Sequence, residues 1–237
     1  MINVSALRPA RRRAWLGYGA LVALAFSALL VPGARVAAQD LRAAPETATG
    51  ISQKSLATSE RYMVAAANPY AVRAGRDVLR DGGSAVDAAI AVQLVLNLVE
   101  PQSSGIGGGA FMLHWDEASK KLTAYDGRET APASATPDRF LVDGKPMPFG
   151  KAVLSGLSVG VPGLVRLLET VHQKHGRLPW ARLVEPAARL AEQGFDVSQR
   201  LHLLLRWQGP DTFVPAARRY FFTDTGSAWP IGFTLKN

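Results

Sequence analysis

Apolar residues crowd two stretches of this chain, Trp15–Val31 and Ala85–Val99, and the residues around each give it a different meaning. The first follows Arg11, Arg12 and Arg13. It leads to Val36-Ala37-Ala38, which puts small residues at −3 and −1 to a cut before Gln39. Basic, apolar and small-residue regions in that order predict a secretory signal peptide over 1–38. Gly17, Gly19 and Ser27 interrupt the run, and its length is near the minimum for crossing a bilayer, which disfavours a lasting membrane anchor. Arg12-Arg13 also loosely resembles a twin-arginine export signal, without its usual flanking residues. The expected location is the periplasm or the exterior. Residues 39–60 are rich in Ala, Thr, Ser and Gln without periodicity and read as a flexible leader. The domain proper is expected over 61–237.

The second stretch is a helix. Ser84 caps it, and Asp87 stands where a capping box has Glu or Gln. From Ala85 to Val99 only Asp87, Gln93 and Asn97 are polar, so the helix is expected to be buried nearly all round, and Pro101 prevents its continuation. Before it, Tyr62–Ala67 reads as a short buried strand. Asn68-Pro69 then opens a helix that runs to Asp81 and stops at Gly82-Gly83. After it, Ala110–Trp115 and Lys121–Tyr125 read as two strands joined by the turn Asp116–Lys120. The segment Ala131–Phe149 is proline-rich and irregular. A helix over Leu164–His175 closes at Gly176, Pro186 opens another that ends at Gly194, and Ser198 caps Gln199–Trp207. Gly209–Asn237 reads as aromatic-rich and irregular. Strand, helices, hairpin and a helical half make an α+β pattern.

Composition changes this picture in two places. The formal net charge of +8 is misleading, because residues 1–38 hold five arginines and no acid. The remainder has 22 basic and 19 acidic residues, an ordinary surface with no argument for nucleic acid. The chain has no cysteine, which excludes disulfides, thiol catalysis and cysteine metal sites; with 48% hydrophobic residues it must stand on its core.

Candidate chemistry gathers after the second apolar stretch. EPQSSGIGGGAF at 100–111 places Gly105, Gly107, Gly108 and Gly109 within five positions, and DGRET follows at 126–130. Gly105–Ala110 satisfies G-x-G-x-x-A, but a dinucleotide site needs a strand before and a helix after, and here the order is reversed. The loop also reads as close strand-on-helix packing. His172 and His175 are three apart near a helix end; two such residues without a third ligand read as surface histidines rather than a metal site. Asp126 and Glu129 flank Arg128, which reads as an ion-paired loop more than an acid–base pair. Arg128 itself reads equally as an anion receptor, since a guanidinium grips a carboxylate with two parallel bonds, or as a structural salt-bridge partner.

Four segments together resemble the N-terminal, large-subunit part of the gamma-glutamyltransferases (glutathione hydrolases). They are MVAAANPYA at 63–71, residues 82–111 with the glycine loop, DGRETAP at 126–132, and LSVGVPGLVRLLE at 157–169. LPWARLVEPAARLAEQGF at 178–195 continues the resemblance, which covers about 60–207. It implies part of the αββα sandwich of N-terminal-nucleophile hydrolases. It also implies attack on a γ-glutamyl amide such as glutathione by a threonine at the head of a small subunit. The γ-glutamyl group then passes to water, an amino acid or a peptide, with no metal or organic cofactor. By the same resemblance Arg128 binds the α-carboxylate of the γ-glutamyl group, Glu129 stands behind it, and Gly105, Gly107, Gly108 and Gly109 line the pocket loop.

One part of the pattern is missing. The family's nucleophile begins a Thr-(Ser/Thr/Ala)-His segment, and this chain contains none: its single Thr-x-His, Thr170-Val171-His172, has valine in the middle and falls within the expected Leu164–His175 helix. The expectation is therefore the opening piece of such an enzyme, inactive alone, whose partner is the missing small-subunit part. The alternatives are a non-catalytic secreted remnant or binding module, and a related cephalosporin or glutaryl acylase. Alone, the piece is expected to leave sheet edges and the Ala85–Val99 helix poorly covered and to aggregate.

Overall fold

A computed structural model describes residues 55–236. The expected signal peptide and most of the leader lie outside the described residues; 55–60 are exposed and belong to no helix or strand.

Two helices form the spine. Helix α1 spans Pro69–Arg80; the Asn68 side chain accepts from the Tyr70 amide, and proline occupies the first turn. Gly82, at φ 90°, ends it in a conformation that suits glycine. Helix α2 spans Ala85–Val99 and carries the complete capping box between Ser84 and Asp87. Asp87 is fully buried. Its Oδ2 accepts from the amides of Ser84, Arg177 and Leu178 at 2.9, 2.9 and 3.1 Å, so the capping residue also ties α2 to a distant connection.

Helix α2 is shared by two cores. Its early residues Val86, Ile90 and Ala91 pack with Leu164, Leu167, Leu168 and Val171 of α4 (Leu164–His175) and Leu183 of α5 (Trp180–Gln193). Its late residues Val95 and Val99 pack with Phe195, Leu201, Leu205, Phe222 and Leu235. The expectation of burial all round is too strong: Ala89 is exposed, and Val92, Leu94, Leu96 and Leu98 are half-buried.

Among the described residues the strands form three antiparallel two-stranded sheets. Strands β1 (Ala110–Asp116) and β2 (Lys121–Gly127) form the principal hairpin, in the register Ala110↔Gly127 to Asp116↔Lys121. Met112 and Tyr125 pack from it against the core of α2 and α4. Strands β3 (Leu141–Val142) and β4 (Lys145–Pro146) form a small hairpin, and β5 (Phe195–Asp196) pairs with β6 (Thr234–Leu235). The remaining α-helices among the described residues are α3 (Phe149–Val153), α6 (Gln199–Gln208, capped by Ser198) and α7 (Pro215–Phe221). The architecture is α+β.

Four expectations need correction. Tyr62–Ala67 is not a strand; Val64 and Ala66 are half-buried while their neighbours face solvent, and no strand pairs with the segment among the described residues. Pro186 does not open a helix but lies inside α5, which begins at Trp180. The apolar stripe Leu183, Ala187 and Leu190 packs onto the cores and carries the helix through a position with no amide hydrogen. The small hairpin β3–β4 interrupts the supposedly irregular Ala131–Phe149. The tail after Gly209 folds as α7 and β6, with Phe222, Ala228 and Leu235 buried.

Candidate functional site

The register of the hairpin brings the glycine loop and the DGRE segment side by side. Ala110 pairs with Gly127, so Gly109 lies opposite the backbone that carries Arg128 and Glu129. A methyl group on Gly109 would fall 2.5 Å from the Gly127 carbonyl oxygen, 2.7 Å from the Glu129 amide and 2.8 Å from Glu129 Oε2. The carbonyl of Gly108 accepts from the amides of Gly163 and Leu164 at 3.1 and 3.0 Å, which seats the loop on the first turn of α4. A bridge between Thr130 and Val161 joins the third segment.

The four glycines therefore differ. Gly108 and Gly109 lie under the Glu129 carboxylate, with tight space at Gly108 and no room for a side chain at Gly109, whereas Gly105 and Gly107 face open space. Behind the loop, Ser104 Oγ donates to Asn97 Oδ1 at 2.6 Å and Gln93 Nε2 donates to Ser104 at 2.7 Å, fixing its start to α2. Glu100 is buried just before it. Its carboxylate accepts from Asn68 Nδ2 at 2.9 Å, Gln102 Nε2 at 2.5 Å and Arg200 Nη1 at 3.1 Å. This buried hub joins the starts of α1, α6 and the loop. Sequence reasoning passed over it, although an acid between an apolar helix and a proline is a detectable sign.

An open cleft of about 660 Å³ lies beside these segments, lined by Gly107, Arg128, Glu129, Arg139, Leu157 and Val159 among others. The Arg128 side chain is 68% exposed, and its Nε stands 3.3 Å from Glu129 Oε2. That oxygen is buried and has no hydrogen-bond partner among the described residues. The Arg128 amide donates to Asp126 Oδ1 at 2.9 Å, so Asp126 shapes the turn. An exposed guanidinium braced on one side by a carboxylate leaves its outer nitrogens for an anion.

The histidines do other work. His172 Nε2 contacts the Leu178 carbonyl at 2.9 Å, and the His175 ring contacts the Tyr125 hydroxyl at 2.7 Å and stacks on His114 at 4.1 Å. Burial, then the neighbouring His114 and Lys174, hold the His175 imidazole below its ordinary value, against a smaller opposite pull from Asp116. Among the described residues no three His, Asp or Glu side chains gather as metal ligands, and no helix is long and apolar enough to cross a membrane.

A family model described as Gamma-glutamyltranspeptidase matches residues 71–237. The "Glutathione hydrolase proenzyme" of Bacillus subtilis (strain 168) is 45% identical over 162 residues, which are 65% of this chain and 28% of that protein. The chain thus spans less than a third of that relative. The gamma-glutamyltranspeptidase of Helicobacter pylori superposes with a TM-score of 0.72 at 31% identity, over 77% of this chain and 52% of that one. A cephalosporin acylase from Bacillus halodurans superposes with a TM-score of 0.55 at 28% identity, over 79% of this chain and 37% of that one. These likenesses assign the α+β fold to the N-terminal-nucleophile hydrolases, of which the described residues form part.

Proposed function

The chain belongs to the gamma-glutamyltranspeptidase family, and from that premise we propose that it carries the γ-glutamyl-binding wall of an exported glutathione hydrolase. The observation that supports this most is the convergence of Gly107, Arg128 and Glu129 on one open cleft. Arg128 receives the α-carboxylate of the γ-glutamyl group, and Glu129 braces its Nε side. The glycine loop keeps the cleft floor free of side chains.

The nucleophile comes from a Thr-(Ser/Thr/Ala)-His segment, a pattern these 237 residues do not contain, in another part of the same protein. Its hydroxyl attacks the γ-carbonyl, and the proton passes to its own α-amine. The amide bond breaks, the departing amine takes that proton, and a γ-glutamyl ester remains for water or an amino acid to cleave. The acylase likeness supports a second reading as an amide hydrolase for other acyl groups. The exposed guanidinium in the cleft favours γ-glutamyl compounds.

Four measurements test this. DNA beyond codon 237 should continue in frame to Thr-(Ser/Thr/Ala)-His; a stop with no such segment leaves the non-catalytic reading. In the protein so completed, Arg128→Ala should raise the KM for γ-glutamyl-p-nitroanilide about 10- to 100-fold, the worth of about 1.5–3 kcal/mol for a charged contact. Unchanged KM and kcat would remove Arg128 from the site. The 237-residue chain alone should not cleave that substrate. Export by residues 1–38 is checked by sequencing the mature N-terminus, expected at Gln39.

A further inference from the structure

The cleft holds a second cation that the γ-glutamyl reading does not use. Arg139 lines it together with Arg128 and is half-buried. Its Nε donates to the Leu157 carbonyl at 2.7 Å, which fixes the plane of the guanidinium between the 128–140 wall and the 157–160 wall. Among the described residues its two outer nitrogens take part in no ion pair. The charged groups facing the cleft are thus Arg128, Arg139 and Glu129, two positive and one negative.

A γ-glutamyl amino acid or peptide carries the mirror set at neutral pH: two carboxylates and one ammonium. A simple γ-glutamyl amide has only one carboxylate. Charge complementarity of this kind sets which partner is preferred more than how tightly any partner binds. We infer that Arg139 reads the distal carboxylate of the leaving group and makes the cleft selective for γ-glutamyl compounds whose amine part is itself an amino acid or peptide. The inference rests on the γ-glutamyl reading of Arg128 and adds a specificity-determining residue to it. Leu157 and Val159 on the facing wall give the intervening atoms an apolar surface.

A minimal ligand pair isolates the effect: γ-glutamylglycine and γ-glutamylmethylamide differ only by the distal carboxylate. Binding to the completed protein, read as competition with γ-glutamyl-p-nitroanilide at low ionic strength, should favour γ-glutamylglycine by about 3- to 30-fold, the range of one partly exposed charged contact. Arg139→Ala should erase that preference and leave the methylamide unchanged, and Arg139→Lys should keep part of it. Arg128→Ala should weaken both ligands. Equal binding of the two ligands by the natural chain overturns the inference. So does an Arg139→Ala or Arg139→Gln variant that weakens both alike, because Arg139 is then only a brace for Leu157. An Arg128→Ala variant that binds both normally overturns the γ-glutamyl reading, whatever Arg139 does. Failure of the completed protein to bind either ligand overturns both.

Discussion

Glu129 lies across Gly109: a single methyl group at residue 109 would come within 2.8 Å of the Glu129 carboxylate and 2.7 Å of its amide nitrogen. The second of those atoms is backbone held between the end of β2 at Gly127 and the Thr130–Val161 bridge, and it cannot swing away as a side chain can. The glycine loop and the Arg128–Glu129 pair are therefore one unit, and the shape of the cleft depends on both.

Gly109→Ala should cost about 1–3 kcal/mol of stability, the usual range for forcing volume into a packed site. Gly105→Ala, which meets open space, should stay within about 0.5 kcal/mol of the natural chain. Urea midpoints of the two variants check this. Equal midpoints would mean that the close approach at Gly109 relaxes freely.

Asp87 should matter more than its place in a helix cap suggests. Its carboxylate serves three backbone amides, two of them some ninety residues away in sequence. Asp87→Ala strips all three and should cost about 2–4 kcal/mol, well above the ~1 kcal/mol of an ordinary cap. Asp87→Asn retains one acceptor and should lose less. A loss no larger than an ordinary cap in Asp87→Ala would show that water replaces the carboxylate.

The stacked pair His114–His175 makes the hairpin's hold on α4 sensitive to acid. The folded His175 binds a proton less readily than the unfolded residue, whose value is about 6.5. The unfolded state therefore takes up protons first as pH falls. Stability from this group is complete above about pH 6.5 and declines below it, toward the lower folded value. Thermal midpoints measured from about pH 7.5 to 5 should drop, and His175→Gln should drop less steeply. Parallel curves for the two proteins would remove the assignment to His175.

Much of this was legible because local chemistry and tertiary packing agree. Asn68-Pro69, Ser84 with Asp87, and Ser198 each mark a helix start where the side-chain bond forms. The hairpin follows from alternation, since Met112 and Tyr125 face the core while Phe111 and Leu113 do not. What was hidden depends on distant partners. Pro186 looks like a helix start until Leu183, Ala187 and Leu190 are seen to pack. The Glu100 hub draws on Asn68 and Arg200, which lie far from it in sequence. Arg128 and Glu129 were legible as a motif, but Arg139 was not, because only the path of the 157–160 segment brings it into the same cleft.

The outer face of the principal hairpin is bare. The register sets Leu113 beside Ala124 and Trp115 beside Leu122, with Phe111 next along the same face. Phe111, Leu113, Trp115 and Leu122 are 67%, 71%, 52% and 58% exposed. Helix α2, by contrast, is covered along its inner side by α4 and α5, so the hairpin and not the helix is the sticky surface of this chain. Contiguous exposed apolar side chains beside unpaired strand edges drive self-association. Sedimentation velocity should show concentration-dependent association of the 237-residue chain. Leu113→Lys with Leu122→Lys should shift it to monomer while changing the urea midpoint little, because both side chains face solvent. Met112→Lys, on the covered side of the same strand, should lower that midpoint instead. Sedimentation unaltered by the double substitution would assign the association to another surface.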